Sequence, residues 1–413
     1  MAQYTNLSGP TVSVIIPAYN QGRYLGGAIE SALSQTYRNY EILVIDDGST
    51  DDTCAVADQF GGRLRYIRQD NQGLAAARNT GICNAAGQYI ALLDSDDEWL
   101  PTYLDTMIDL AGVSPEAAVF YCRARCMDAN GIELRQVLGS PIEPRQSIYQ
   151  TLLRYDFLIP STVFMLRSAA IEAGLFDPFL RSCEDWDLWL RLSPRHNFVG
   201  SRECLVRYRV HGNSLSADLH NMHGAAQMVI RKHFGDDDEQ PQHWSMDKRR
   251  AYGGLYRYQA LSAVLRKNDW NACTQHLLRA FEVDPTLTRD QDLFFDLAMG
   301  PQPLGYRLTE LQLDLAANAA ELFRTLRGVF ETMTTPASNH LRRAAYGTAY
   351  LGLGLVAYNT GQPALCRRYL LRAVRYRPEL SHNQLVMGDI LKSFVAPRLM
   401  SRLKANKRSF GQL

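Results

Sequence analysis

The sequence predicts an α/β unit followed by an all-α unit. Three observations carry this. The first hundred residues alternate strand and helix signals. Four of the predicted strands end in polar, turn-prone clusters. Beyond a polar, acidic stretch around Phe234 to Lys248, the chain reads as helix throughout. The length, 413 residues with 46% hydrophobic, exceeds what one core usually serves, so two domains are expected.

The elements follow in order. "TVSVIIP" (Thr11 to Pro17) is an apolar, β-branched run closed by proline. "YLGGAIESALSQT" places Leu25, Ile29, Ala32 and Leu33 at helical spacing. Ile42 to Ile45 form a second buried run, and Asp51 and Asp52 stand before a short helix whose positive end suits acids. "RLRYIRQ" alternates as a strand does, "GLAAARNTGICNAAG" reads as a helix, and "QYIALLD" is a further buried strand. Continuous apolar strands separated by helices argue for a parallel sheet covered on both faces. Ligands of such sheets bind beyond the carboxyl ends of the strands. There lie "PAYN", "DDGSTDD", "QDNQG" and "DSDDEW". From about 115 to 215 strand and helix signals mix, with "CEDWDLWLRLS" helical and "CLVRYRVHGNSLS" a strand ending near His211.

Charge is balanced, 44 basic against 43 acidic residues, which gives no overall field for nucleic acid. The eight cysteines include no C-x-x-C and no zinc spacing, as expected of reduced thiols in a cytoplasmic protein. The first residues lack the basic and apolar regions of a secretory leader. The longest apolar run, Ala344 to Tyr358, falls short of the roughly 20 residues a membrane span needs. A cytoplasmic protein without a transmembrane segment is expected, with peripheral contact at the inner face of the membrane left open.

In the helical region two segments match. "LRKNDWNACTQHLLRAFEVDP" ends at Pro285 and "AYNTGQPALCRRYLLRAVRYRP" at Pro378, 93 residues later. Cys273 aligns with Cys366, Leu277 with Leu370 and Ala280 with Ala373. Small residue, large apolar, alanine and closing proline resemble half of a tetratricopeptide repeat, whose usual period is about 34 residues. A surface for a protein partner or for self-association is the corresponding expectation. "GLGLVA" (Gly352 to Ala357) fits a loose dinucleotide pattern but follows helix rather than strand, so no dinucleotide site is read from it.

The densest chemistry is "LLDSDDEW". A D-x-D pair leaving a strand can present two carboxylates on one side, and with phosphate oxygens these suit Mg²⁺ or Mn²⁺. The same acids would also suit the N-terminus of the helix that follows. A calcium loop is excluded because Trp99 stands where its glycine is needed.

"PAYN", "DDGSTD", "QGLAAARNTGI", "LLDSDDEWLP", "EDWDLWLRL" and "YRVHGNSLS" occur in this order. Together they resemble family 2 glycosyltransferases of the GT-A fold, over about residues 11 to 216. The resemblance implies a Rossmann-like mixed sheet that binds a nucleotide sugar. It assigns Pro17, Ala18, Tyr19 and Asn20 to the base, and Asp46 and Asp47 to the nucleoside. Arg78 would lie near the nucleotide, Asp94 at the ribose and diphosphate region, and Ser95 among the residues that bind the nucleotide sugar. Asp96 would hold the metal, with His211 as a further ligand. Glu184 and Asp185 form the E-D pair, Asp185 being the base that deprotonates the acceptor. Taken alone, Arg78 would read as a solvated surface arginine, Asp185 as a helix-capping acid, and Asp97 and Glu98 as the start of the next helix.

The expected organisation is a catalytic domain over 1–235, a linker over 236–250 and a tetratricopeptide-like helical domain over 251–413. The expected activity is metal-dependent, inverting transfer from a UDP- or dTDP-linked sugar. The acceptor would be a glycan, a lipid-linked glycan or a protein, in surface polysaccharide or glycoconjugate synthesis, with a variable acceptor loop near 123 to 160. Mn²⁺ or Mg²⁺ is the implied cofactor. The alternative is a non-catalytic sensor of sugar nucleotides that acts through its helical repeats.

Overall fold

The computed structural model describes residues 9–139, 147–212, 214–237, 240–302, 313–333 and 338–392. The centre of the expected acceptor loop (140–146), Asn213 of "HGNS", part of the expected linker and the last residues of the helical region lie outside the described residues. The chain divides into two compact units, Met1–Gly235 and Asp236–Leu413.

The first unit holds one sheet. Its strands are β1 (Val12–Ala18), β2 (Tyr40–Asp46), β3 (Arg65–Arg68), β4 (Tyr89–Leu92), β5 (Glu98–Trp99), β6 (Ala117–Met127), β7 (Glu133–Leu138), β8 (Val163–Leu166) and β9 (Asn197–Arg209). Its helices are α1 (Gly22–Leu33), α2 (Thr53–Asp58), α3 (Leu74–Asn84), α4 (Tyr103–Val113), α5 (Ile148–Leu152), α6 (Arg167–Glu172), α7 (Glu184–Leu192) and α8 (Leu219–Phe234). The strand order is β3-β2-β1-β4-β8-β6-β9-β5, with β7 added to β6. The first four strands in that order are parallel, as the alternation predicts. β8 then runs antiparallel to β4 and to β6, which makes the sheet mixed, the GT-A-like arrangement expected.

Register brings the polar clusters together. Ala18 of β1 lies opposite Asp46 of β2, and Asp46 opposite Arg68 of β3. The ladder continues past the strands: Asp47 N donates to Ala18 O and Leu93 N to Ile15 O. All four carboxyl ends therefore face one edge. Beneath it the core is dry, with Val14, Ile16, Ile42 and Val44 under Leu25, Ala28, Ile29 and Ala32 of α1. Each fully buried aliphatic side chain here contributes about 1.5–3 kcal/mol. On the other face α3 lies close, since a Cβ at Gly81 would sit 2.4 Å from Ile15 Cγ2.

One expectation is corrected. Asp97 and Glu98 do not start a helix. Glu98–Trp99 form a short strand on β9, and α4 begins only at Tyr103. The cause is Trp99. Its ring is buried against Tyr103 and its Nε1 donates to Ser161 O, so this segment is drawn inward as strand.

Among the described residues, the second unit holds α9 (Met246–Lys267), α10 (Trp270–Val283), α11 (Gln291–Met299), α12 (Leu315–Thr332), α13 (Ser338–Asn359), α14 (Pro363–Tyr376) and α15 (Gln384–Lys392). The segments matched in sequence become equivalent hairpins, α9–α10 and α13–α14. Their turns carry Asn268 and Gly361, both with positive φ. Cys273, Leu277 and Ala280 are buried, and so are Cys366, Leu370 and Ala373. Pro285 and Pro378 each open a short 3₁₀ turn that buries the leucine two residues on, Leu287 or Leu380. The match therefore spans a helical hairpin and its exit turn. "GLGLVA" lies inside α13, where a Cβ at Gly352 or Gly354 would strike Phe294 O or Leu370; its glycines serve helix packing. No described helix is long and apolar enough to cross a membrane.

Candidate functional site

The site is built on the carboxyl edge of β1, β2 and β4. Tyr19, just past β1, is 48% exposed and offers an aromatic face, while Pro17 and Ala18 are buried in the strand. Asn20 takes a left-handed conformation, φ +53°. Its Oδ1 accepts from Thr50 N and its N–H donates to Ser49 Oγ, so it ties the loops after β1 and β2 together. Asp51 extends this tie by accepting from Gly22 N and Thr53 N, bringing α1 and α2 to the same edge.

Asp46 and Asp47 are both buried. Asp46 accepts from Ser49 N and from the Tyr66 hydroxyl. Asp47 accepts from Gln69 Nε2, Gln72 N and Gly73 N at 2.7–2.9 Å. A carboxylate has about four acceptor positions, so one remains to Asp47. Gly73 has φ +95° and begins α3. Asp47 thus fixes the loop that aims α3, and with it Arg78.

Arg78 is 1% exposed, which rules out a solvated surface role. Its Nη2 lies 2.6 Å from Asp94 Oδ1, and its Nη1 donates to Glu184 Oε1. Its guanidinium also stands 5.4 Å from the centre of the Phe176 ring. Burial alone would lower the arginine pKa, but the charges of Asp94 and Glu184 outweigh it and raise it. One buried cation therefore joins the end of β4 to the start of α7, through partners 16 and 106 positions further along the chain.

Cys183, at φ +57°, turns the chain into α7. Glu184 and Asp185 fall in its first turn. The helix is clamped from behind, with Trp189 fully buried and Trp186 Nε1 donating to Leu152 O. Among the described residues, Asp185 Oδ1 accepts from the adjacent Trp186 N. Burial and then the Glu184 charge push its carboxyl up to about 7, against the opposing pull of Arg78. Asp187, two residues on, does something else. It is fully buried and bonded to Arg191, Lys232 and His233, so it anchors α7 to α8.

The four acids of "DSDDE" separate. Asp94 goes to Arg78. Asp96 Oδ2 lies 3.0 Å from His211 Nε2. His211 lies beside Tyr24, its ring tilted to it, with centroids 5.0 Å apart. Asp97 is 1% exposed and accepts from Ser161 Oγ and Arg209 N. Burial, then the charges of Asp96 and Asp94, raise its pKa well above the usual carboxylate range. Glu98 pairs with Arg209, whose Nε donates to Asp96 O. Ser95 is buried between them.

Asp96 and His211 supply one oxygen and one nitrogen donor side by side. Mn²⁺ accepts both kinds, and Mg²⁺ prefers oxygen. Among the described residues no group of three or more His, Cys, Asp or Glu forms a complete protein cage. The pair fits a metal whose other positions come from phosphates and water.

The sequence pattern passed over several of these groups. Asp156 lies near Asp185 and Glu184; burial and the Asp185 charge raise its pKa well above normal. Ser161 links Asp94 N to Asp97. Arg209 packs its guanidinium 4.9 Å from the Tyr24 ring centre. Asp156 and Ser161 sit in no quoted motif; Arg209 lies inside "YRVHGNSLS", two residues before His211, and is marked further by being a buried charge in a strand.

The model of "Glycosyl transferase family 2" matches residues 13–174. An uncharacterized glycosyltransferase of Rickettsia prowazekii is 32% identical over 215 residues, covering 50% of this chain and 66% of that protein. The chain thus spans just under two thirds of that relative's length. The UDP-Glc:alpha-D-GlcNAc-diphosphoundecaprenol beta-1,3-glucosyltransferase WfaP of Escherichia coli is 34% identical over 210 residues, covering 50% of this chain and 80% of that one. A mannosyltransferase of Pyrobaculum calidifontis, solved with GDP-Man and Mn²⁺, superposes with a TM-score of 0.47 at 15% identity, covering 85% of this chain and 87% of that one. On its matched relatives, this chain belongs to glycosyltransferase family 2.

Proposed function

We propose that the protein is an inverting glycosyltransferase that moves a sugar from a nucleotide diphosphate to an acceptor hydroxyl, with Asp185 as the base. The observation that carries this is the state of Asp185. It lies beside the Arg78–Glu184 ion pair without a direct cation of its own among the described residues, and its carboxyl is tuned to about 7. A general base is most effective when its pKa lies near the working pH.

In this reading the donor lies along the carboxyl edge. Tyr19 and the remaining position of Asp47 meet the base, and Asp94 and Ser95 meet the ribose and diphosphate. Asp96 and His211 would hold Mn²⁺ or Mg²⁺, which offsets charge on the departing diphosphate. Asp185 takes the proton of the acceptor hydroxyl. The acceptor oxygen then forms a bond to the anomeric carbon as the bond to the phosphate oxygen breaks. One displacement inverts that carbon. Arg78 does not enter the cleft; it holds Asp94 and Glu184 at a fixed separation, so donor and acceptor sides keep register.

A UDP-linked donor and a lipid-linked glycan acceptor are favoured by the Escherichia coli relative, whose name states both. Such an acceptor would bring the protein to a membrane surface. The test is incubation with a panel of nucleotide sugars and Mn²⁺, reading nucleoside diphosphate release. Release from a UDP- or dTDP-sugar supports the reading; neither release nor binding with any donor overturns it.

A further inference from the structure

The helical unit contains its own internal control. The hairpins α9–α10 and α13–α14 are two copies of one structure, and the equivalence extends to side chains. Arg249 Nε donates to Val283 O in the first copy, and Arg343 Nε donates to Tyr376 O in the second. Lys248 lies 6.0 Å from the Tyr252 ring centre, and Arg342 lies 5.6 Å from Tyr346. Arg279 lies 5.7 Å from Tyr256, and Arg372 lies 5.6 Å from Tyr350. Each copy therefore presents the same ladder of cations over tyrosines.

The copies differ in what neutralises the ladder. In the first, Arg279 meets Glu282, and the Tyr256 hydroxyl donates to Asp237. In the second, the position of Glu282 is Arg375 and that of Val283 is Tyr376. From Ser338 to Pro378 the chain holds seven arginines and no acid, in a protein whose net charge is +1. Among the described residues, Arg342, Arg372 and Arg375 have no carboxylate within ion-pair distance. The missing partners leave a cleft of about 650 Å³, lined by these arginines with Tyr346, Tyr350 and Tyr376. The rings are fixed against one another, Tyr350 lying 5.5 Å from Tyr376 and 4.6 Å from Phe323.

We propose that this cleft on α13–α14 binds an anionic saccharide, its carboxylate or phosphate held by Arg342, Arg372 and Arg375 and its sugar ring laid on the tyrosine faces. Guanidinium forks match both anions in a bidentate manner. A tyrosine face offers apolar surface to a sugar ring, and its hydroxyl offers a hydrogen-bonding edge. The first copy, where Glu282 already meets Arg279, does not bind. The choice of a saccharide rests on reading the protein as a glycosyltransferase; the excess of unpaired cations does not. The site would retain a growing acidic or phosphorylated chain on the protein, raising its effective concentration.

The experiment is calorimetric titration of the full chain with oligogalacturonate, with a phosphorylated mannose oligosaccharide, with neutral maltohexaose and with oligo(dT). Two variants accompany the wild type. R375E restores the acid of the first copy, which that copy shows to be compatible with the fold. The double variant R342Q/R372Q removes two cations without adding charge. At least one anionic saccharide should bind the wild type, maltohexaose should not, and both variants should weaken binding at least tenfold. Asp185→Asn should bind as the wild type does, which separates failure here from failure of the catalytic reading. Absence of binding by both anionic saccharides, unchanged affinity in R375E, or tighter binding of oligo(dT) than of either saccharide would each overturn the proposal.

Discussion

Arg78 Nη2 stands 2.6 Å from Asp94 Oδ1, while its other terminal nitrogen is bonded to Glu184. A single guanidinium fork thus spans Asp94 at the end of β4 and Glu184, the acid beside the proposed base Asp185. Lysine has one point charge and cannot hold both acids in the same geometry. Arg78→Met would leave two carboxylates without their cation. Loss of one partner from a buried pair costs about 3–5 kcal/mol. Urea unfolding should show a loss of that order for Arg78→Met and a smaller one for Arg78→Lys, with donor turnover reduced in both.

The pH dependence of turnover follows from Asp185. Its carboxyl is raised to about 7, and a base must be deprotonated to act. The value of kcat/KM should therefore rise with pH and level off above about 7. A profile flat from pH 5 to 8 would show that another group takes the proton.

Stability has a different pH signature, set by Asp187. Burial would raise its pKa, but bonds from His233, Lys232 and Arg191 prevail and lower it. The folded pKa lies below the usual unfolded value of about 3.9, so the carboxylate stabilises the fold at neutral pH. That contribution should fade as the pH falls below about 4. Asp187→Asn should cost about 1–3 kcal/mol at pH 7 by chemical unfolding, with the gap to wild type closing toward acid pH.

Metal use should depend on Asp96 and His211, whose donor atoms lie 3.0 Å apart. Changes in a metal's outer shell typically cost about 10–100-fold in affinity. Asp96→Asn and His211→Ala should each raise the Mn²⁺ concentration for half-maximal activity at least about tenfold. An unchanged Mn²⁺ titration would remove the pair from the metal site.

Much of this architecture is legible in the sequence because local patterns and tertiary order agree. β1, β2 and β4 are continuous apolar runs, and their polar ends mark the edge directly. The duplicated hairpins are readable because Cys273, Leu277 and Ala280 recur in register. Tertiary choices are less visible. Asp97 and Glu98 look like helix-starting acids, yet the burial of Trp99 makes their segment a strand on β9. Arg78 looks solvent-facing until Asp94 and Glu184, which lie 16 and 106 positions away, are folded against it. Asp156 has no motif at all; its importance arises from depth and from the neighbouring Asp185 charge.

The central claim is that Asp185 removes the acceptor proton in a glycosyl transfer. The most direct measurement compares wild type and Asp185→Asn for nucleoside diphosphate release from the best donor, alongside donor affinity. Asp185→Asn should lose about 10²–10⁴-fold in turnover with donor binding unchanged. Equal turnover in the two proteins would contradict it.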